Sequence, residues 1–274
     1  MERLPLASNP VPATSDSLQL EAHGLYCALM RGAASVSAGY REAEPNLGGK
    51  LLYAGELDAR GRAMVIAGNV SGCATLAATA ELTAQKLVIR DGVVDFVVTS
   101  LDEALRILKN EIRKCATVAV CVGAAPSSVE REMIERGVLP DLVLERQSGE
   151  QRDMPDFGSG TLKVQLTMPD DGLAFVTWQV EQAPARWMAK LDAIALECFS
   201  SDWRARRWIR LSPRYSGRGA QPRRVLYCEQ GSAKQILSRF AAHVQDGTIE
   251  TEVSATLFIS GETKVFRWSP VTTA

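Results

Sequence analysis

The chain has 274 residues, 46% of them hydrophobic and 23% charged, with a formal net charge of −1. This is the balance of a globular protein of one large domain or two modest ones. It provides no overall field to attract nucleic acid or a membrane surface. No apolar run reaches the length of a bilayer span.

The opening MERLPLASNPVPATSDS lacks the basic-then-apolar order of a secretory signal, so residues 1–15 are expected to form a loose arm of a cytoplasmic protein. Residues 16–40 contain EAHGLYCALM, a short amphipathic helix pattern. From Gly49 the elements alternate. LLYAG is a short buried strand. AMVIAGNVSGCATLAATAELTAQKL has helix-like spacing with a second strand around CATLAA, and VVDFVVTS is a β-branched strand. In SLDEALRILKNEIRK, Leu101, Leu105, Leu108 and Ile112 form one helical stripe behind a Ser100/Glu103 capping box. TVAVCVG is a continuous apolar strand. SSVEREMIERG follows as a helix with Ser127 as N-cap, Glu130 as its box glutamate and Gly137 as C-cap, and VLPDLVLE is a further strand. Residues 147–160 carry no periodicity and are expected to be a linker.

Beyond the linker, TLKVQLTM, LAFVTWQV, RRVLYCEQ, TEVSATLFISG and KVFRWS predict strands, while ARWMAKLDAIALECF and SAKQILSRFAAHVQDG predict helices. Continuous apolar strands alternating with helices imply an α/β fold whose parallel sheet is covered on both faces.

The six cysteines contain no CxxC pair and fit buried reduced thiols. The only histidines, His23 and His243, are far apart and give no His-rich metal site, so no metal is expected. Neither can be named a general base without geometry. Between Trp203 and Arg224, arginines and aromatics interleave; with no basic excess in the chain, an anionic small ligand or acidic partner surface fits better than nucleic acid.

The run VTSLDEALRILKNEIRK followed by GVLPDLVLE closely resembles the urocanase (urocanate hydratase) family. GGKLLYAG falls where that family has the strand before its glycine-rich NAD loop. LDAIALECFSSDWRARRWIRLS, QPRRVLYC, KQILSRF and VQDG resemble the family's C-terminal part in order and spacing, with Trp178 matching a family tryptophan. The resemblance covers roughly residues 47–148 and 175–248. It implies a Rossmann-like parallel-sheet unit at 45–150, inserted in a reduced α/β or α+β core domain made of 16–44 plus 160–274. It also implies a homodimer and NAD as cofactor, acting as an electrophile toward the imidazole of urocanate.

The turn after the first strand reads GELDARGR where the family is nearly all glycine. Gly55 and Gly61 match, but Glu56, Leu57, Asp58, Ala59 and Arg60 stand between them, and two acids there repel a phosphate. Plain turn geometry is the competing reading of both glycines. Arg60 and Arg62 are candidates to clasp an anion, against a reading as solvated loop residues. Gly68, Asn69 and Gly72 point to close helix packing. Glu81 is a candidate ribose-binding acid, although the family's acid falls nearer Ala78. Gly123 ends a strand where open sheets bind ligands, but Ala124 follows where the family has asparagine. Ser148, with Glu145, is a remnant of a family segment here reduced to RQSGE. The family's D-Y-G-N-N segment, its N-terminal catalytic segment and its R-D-H-L-D-type motif have no counterpart here.

Three readings follow. The first is a divergent, shortened relative that binds a small molecule or nucleotide without being a competent urocanate hydratase. The second is a working NAD-dependent hydro-lyase on urocanate or a related imidazole acid. The third is a non-catalytic partner of a full-length urocanase.

Overall fold

The computed structural model describes residues 14–36, 45–145, 155–164, 172–217 and 222–270. It holds two sheets. The first has six strands: β1 (Leu51–Glu56), β2 (Ala74–Ala78), β3 (Phe96–Val98), β4 (Val118–Val122), β5 (Leu142–Leu144) and β6 (Leu162–Val164). All its pairings are parallel, in the order β3-β4-β2-β1-β5-β6. The second is antiparallel, in the order β10-β9-β7-β8, from β7 (Leu173–Gln179), β8 (Arg223–Glu229), β9 (Val253–Ile259) and β10 (Glu262–Trp268). The chain is thus mixed α/β, a Rossmann-like parallel sheet with a separate antiparallel one.

Side chains alternate across the parallel sheet as its pleat requires. Leu51 and Tyr53 of β1 face α4 (Leu101–Arg113) and α5 (Pro126–Glu135), whereas Leu52 and Ala54 join the core containing α1 (Thr14–Val36), α2 (Ala59–Ser71) and α3 (Leu82–Arg90). With both faces covered, β2 and β4 are buried throughout and β1 is buried up to half-buried Glu56.

The core on the α2 side continues into the second unit. There α6 (Pro184–Glu197) and α8 (Gln230–Gln245) pack with the antiparallel sheet, and α7 (Trp203–Tyr215) lies against both α2 and β8. α1 also bridges the units, touching α2 and β8. His23, on α1, accepts the Tyr227 amide of edge strand β8 at Nδ1 (3.2 Å) and is enclosed by Tyr26, Trp208 and Tyr227. A helix side chain thereby satisfies a strand edge that would otherwise stay open.

Several local details differ from the sequence reading. α5 begins with Ala125 as N-cap and Pro126 at its first position, not with Ser127, because proline is pre-set for the first turn where its missing N–H costs nothing. Glu130 is therefore no box residue; it is buried and accepts the Tyr53 hydroxyl at 3.0 Å. The Ser100 cap forms (Glu103 N to Oγ, 3.3 Å), but Glu103 reaches back to the Thr99 amide at 2.9 Å. β6, beyond the boundary expected at residue 150, is the sixth strand of the parallel sheet. The loop before it buries Phe157 edge-on against Tyr53.

Candidate functional site

In open parallel sheets, ligands bind beyond the carboxyl ends of the strands, where connections diverge to opposite faces. Here the chain leaves β2 through α3 on one face, and leaves the adjacent β4 through α5 on the other. The candidate crevice lies above these strands and β1.

Gly55, the last residue but one of β1, has φ +76° and sits beside a register shift in the β1–β2 pairing. Its backbone needs a residue without Cβ. Leu57 then turns inward, 3% exposed, its amide donating to the Ala78 carbonyl at 3.3 Å. Asp58 is the N-cap of α2: Oδ1 accepts the Gly61 amide at 2.8 Å, and its carbonyl accepts the Arg62 amide at 3.0 Å. A helix N-terminus is an anion seat, with unpaired amides and the positive end of the dipole. On α2 that seat is taken by the carboxylate of the turn itself. Gly61 has a packing role, since a Cβ there would run into the Glu56 carbonyl oxygen.

The two arginines of the turn point to protein partners. Arg60 Nε lies 3.9 Å from Glu21 Oε1 on α1, and Arg62 Nη2 lies 3.2 Å from Asp91 Oδ2 at the end of α3. Each ties α2 to a different neighbouring element. Glu81 caps α3 with no side-chain bond to it and is exposed.

Across the crevice, Gly123 donates its amide to the Val98 carbonyl at 2.8 Å. The space in front of its α-carbon is occupied by Gln85: a Cβ there would lie 3.2 Å from Gln85 Nε2. Gln85 Nε2 in turn donates to the Thr79 carbonyl at 2.9 Å, joining the turns after β2 and β4. Gly55, Gly61, Glu81 and Gly123 thus share the carboxyl end of the sheet, while Arg60 and Arg62 leave it; Ser148 lies outside the described residues.

The sequence reading missed two residues. Asp58 was legible as an acid and as a residue type that caps helices, and the rule that places Asp before an apolar helix finds it. Gln85 left no signal, because its role depends on α3 crossing toward the end of β4. Among the described residues, no group of three or more His, Cys, Asp and Glu could hold a metal ion. No helix there is long and apolar enough to cross a membrane.

Gly68 and Gly72 serve packing, as expected. A Cβ at Gly68 would lie 2.5 Å from Leu52 Cδ2, and Gly72 closes α2 at φ +98°. Asn69 spans to the Val93 carbonyl at 3.1 Å. In a comparison with known families, residues 23–152 match the model of the urocanase Rossmann-like domain.

Proposed function

From a chain related to the urocanases through residues 23–152, we propose a small-molecule- or nucleotide-binding protein that is not a competent urocanate hydratase. The observation that carries this reading is the Asp58 cap on α2, with Oδ1 2.8 Å from the Gly61 amide. The family implies NAD, whose pyrophosphate needs a helix N-terminus and close-approaching backbone. The residues of this turn do not fit it. A carboxylate already holds the first-turn amide, Leu57 fills the turn from within, and Arg60 and Arg62 are engaged elsewhere. A ligand of this crevice therefore meets the β1–α2 turn with something other than a phosphate.

Hydration of urocanate through NAD demands a snug dinucleotide site with aligned polar groups. The Gln85 bridge over Gly123 further narrows the room for one. The test is loss of urocanate absorbance in the presence of NAD. The proposal expects no NAD-dependent loss above the protein-free rate. Sustained turnover by purified protein that stops when NAD is stripped would overturn it and establish the hydro-lyase reading.

A further inference from the structure

The two edges of the antiparallel sheet are treated differently. β8, at one edge, packs with α1 and gives its Tyr227 amide to His23. β10, at the other, pairs with β9 alone. It is seven residues long, against three for each edge strand of the parallel sheet. A long exposed edge is a template for another strand, and folds usually keep edges short or covered. Glu262, Thr263, Lys264, Val265 and Arg267 are exposed, and Val265 keeps 70% of its surface.

The hairpin turn fixes which backbone groups of β10 are open. Ser260 and Gly261 have φ +49° and +88°, the left-handed pair that a two-residue hairpin turn requires, and Ile259 faces Glu262 across it. Residues flanking such a turn exchange both their hydrogen bonds, and the pattern then alternates along the ladder. Glu262, Lys264, Phe266 and Trp268 therefore direct their amides and carbonyls to β9. Those of Thr263, Val265 and Arg267 point away from the sheet, where no backbone group among the described residues meets them. The side chains of Glu262, Lys264, Phe266 and Trp268 lie on the α8 side. There α8 packs on β7, β8 and β9, and a cleft of about 820 Å³ opens between it and β10.

We propose that β10 pairs antiparallel with β10 of a second copy of this chain, joining two four-stranded sheets into one. A two-fold axis normal to the sheet sets one residue opposite itself. Centred on Val265, it pairs the whole strand: Val265 with its own copy, Thr263 with Arg267, Lys264 with Phe266, and Glu262 with Trp268. No like charges face each other, and a lysine ammonium falls beside a phenyl ring. Thr263, Val265 and Arg267 then form roughly six backbone hydrogen bonds across the axis. Centring on Lys264 or on Arg267 would set two cations face to face, and centring on Phe266 leaves Glu262 and Thr263 without strand partners. The ion pairs Lys264–Glu262 (3.8 Å) and Arg267–Glu252 (3.4 Å) are exposed and loose, so neither holds its side chain against the pairing. Because α1 covers β8, the association closes at two copies and does not run on as a fibre. It is independent of what the sheet-end crevice binds.

Sedimentation velocity over a concentration series tests it on the wild type, Val265→Pro and Val265→Lys. The wild type should be a dimer with a Kd below about 10 μM. Val265→Pro removes the central amide where the N–H faces outward, a place that tolerates proline, and Val265→Lys sets two ammonium groups opposite each other. Each should raise the Kd at least roughly tenfold, with an unchanged far-UV circular dichroism spectrum showing that the chain still folds. Cross-linking reads the register in a Cys115→Ser background. Val265→Cys should form a disulfide dimer under mild oxidation, its Cα atoms being about 5.5 Å apart across the axis, whereas Thr263→Cys, roughly 14 Å from its copy, should not. A monomer at every concentration, a dimer whose Kd is unchanged in both variants, or cross-linking at Thr263→Cys as ready as at Val265→Cys would each overturn the proposal.

Discussion

Substituting His23 tests how α1 holds the two units together. His23 is 2% exposed, and burial lowers its pKa from 6.5 to about 3. Its Nδ1 accepts the Tyr227 amide, so the folded chain requires the neutral ring. The sign follows from linkage. The unfolded chain takes up a proton below pH 6.5 and the folded chain does not, so stability is full above 6.5 and is lost as pH falls toward 3. At about 1.4 kcal/mol per pH unit, roughly 2 kcal/mol is gone by pH 5 and roughly 5 kcal/mol over the whole span. For a chain of this size, the loss at pH 5 lowers Tm by roughly 4–8 °C. His23→Gln keeps an acceptor for Tyr227 but does not titrate. It should start less stable at pH 7.5, having lost ring packing against Trp208 and Tyr227. The assay is Tm against pH from 7.5 to 5 for both proteins, so that other titrating groups cancel in the difference. The wild-type curve should fall more steeply. Parallel curves would refute the claim that a neutral buried His23 secures α1 to β8.

Gly61→Ala should cost at least about 3 kcal/mol, read from the urea midpoint, because the new methyl meets the Glu56 backbone, which cannot swing aside; an unchanged midpoint would contradict the close approach of α2 to β1. Asp58→Ala should cost about 1 kcal/mol as a lost N-cap; a neutral result would mean that its carboxylate does not hold the α2 amide. Cys115 should react first with a thiol reagent, as the exposed cysteine of the six, while burial pushes Cys121 and Cys228 up to about 12 and Cys27 up to about 11. Peptide mapping after brief alkylation checks that order, and early labelling of Cys121 or Cys228 would contradict it.

Legibility in the sequence tracked exposure. α4 lies on the surface with Leu101, Leu105 and Leu108 buried, so its stripe and its Ser100 cap were plain. α2 is enclosed between the sheet and α1, with an unbroken buried run from Ala63 to Ser71, so it shows no polar face from which to read a period. β6 was placed with the second half because strand patterns do not name their sheet; its pairing with β5 is a long-range choice. At the site, the matched glycines were visible, but their reasons were not alike. Gly55 answers a positive φ, Gly61 a close backbone approach, and Gly123 faces a glutamine delivered by another helix. Arg60 and Arg62 were read toward a ligand because Glu21 and Asp91, their partners, are distant in sequence.

The central claim is that the β1–α2 turn supplies its own anion and so refuses a pyrophosphate. The most direct test is native mass spectrometry of the purified chain with added NAD, at NAD concentrations that saturate ordinary dinucleotide sites. The account predicts the mass of the bare chain with respect to NAD, and no shift of Tm on adding it. One NAD retained per chain, displaced by free pyrophosphate, would contradict it and put the cofactor back on α2.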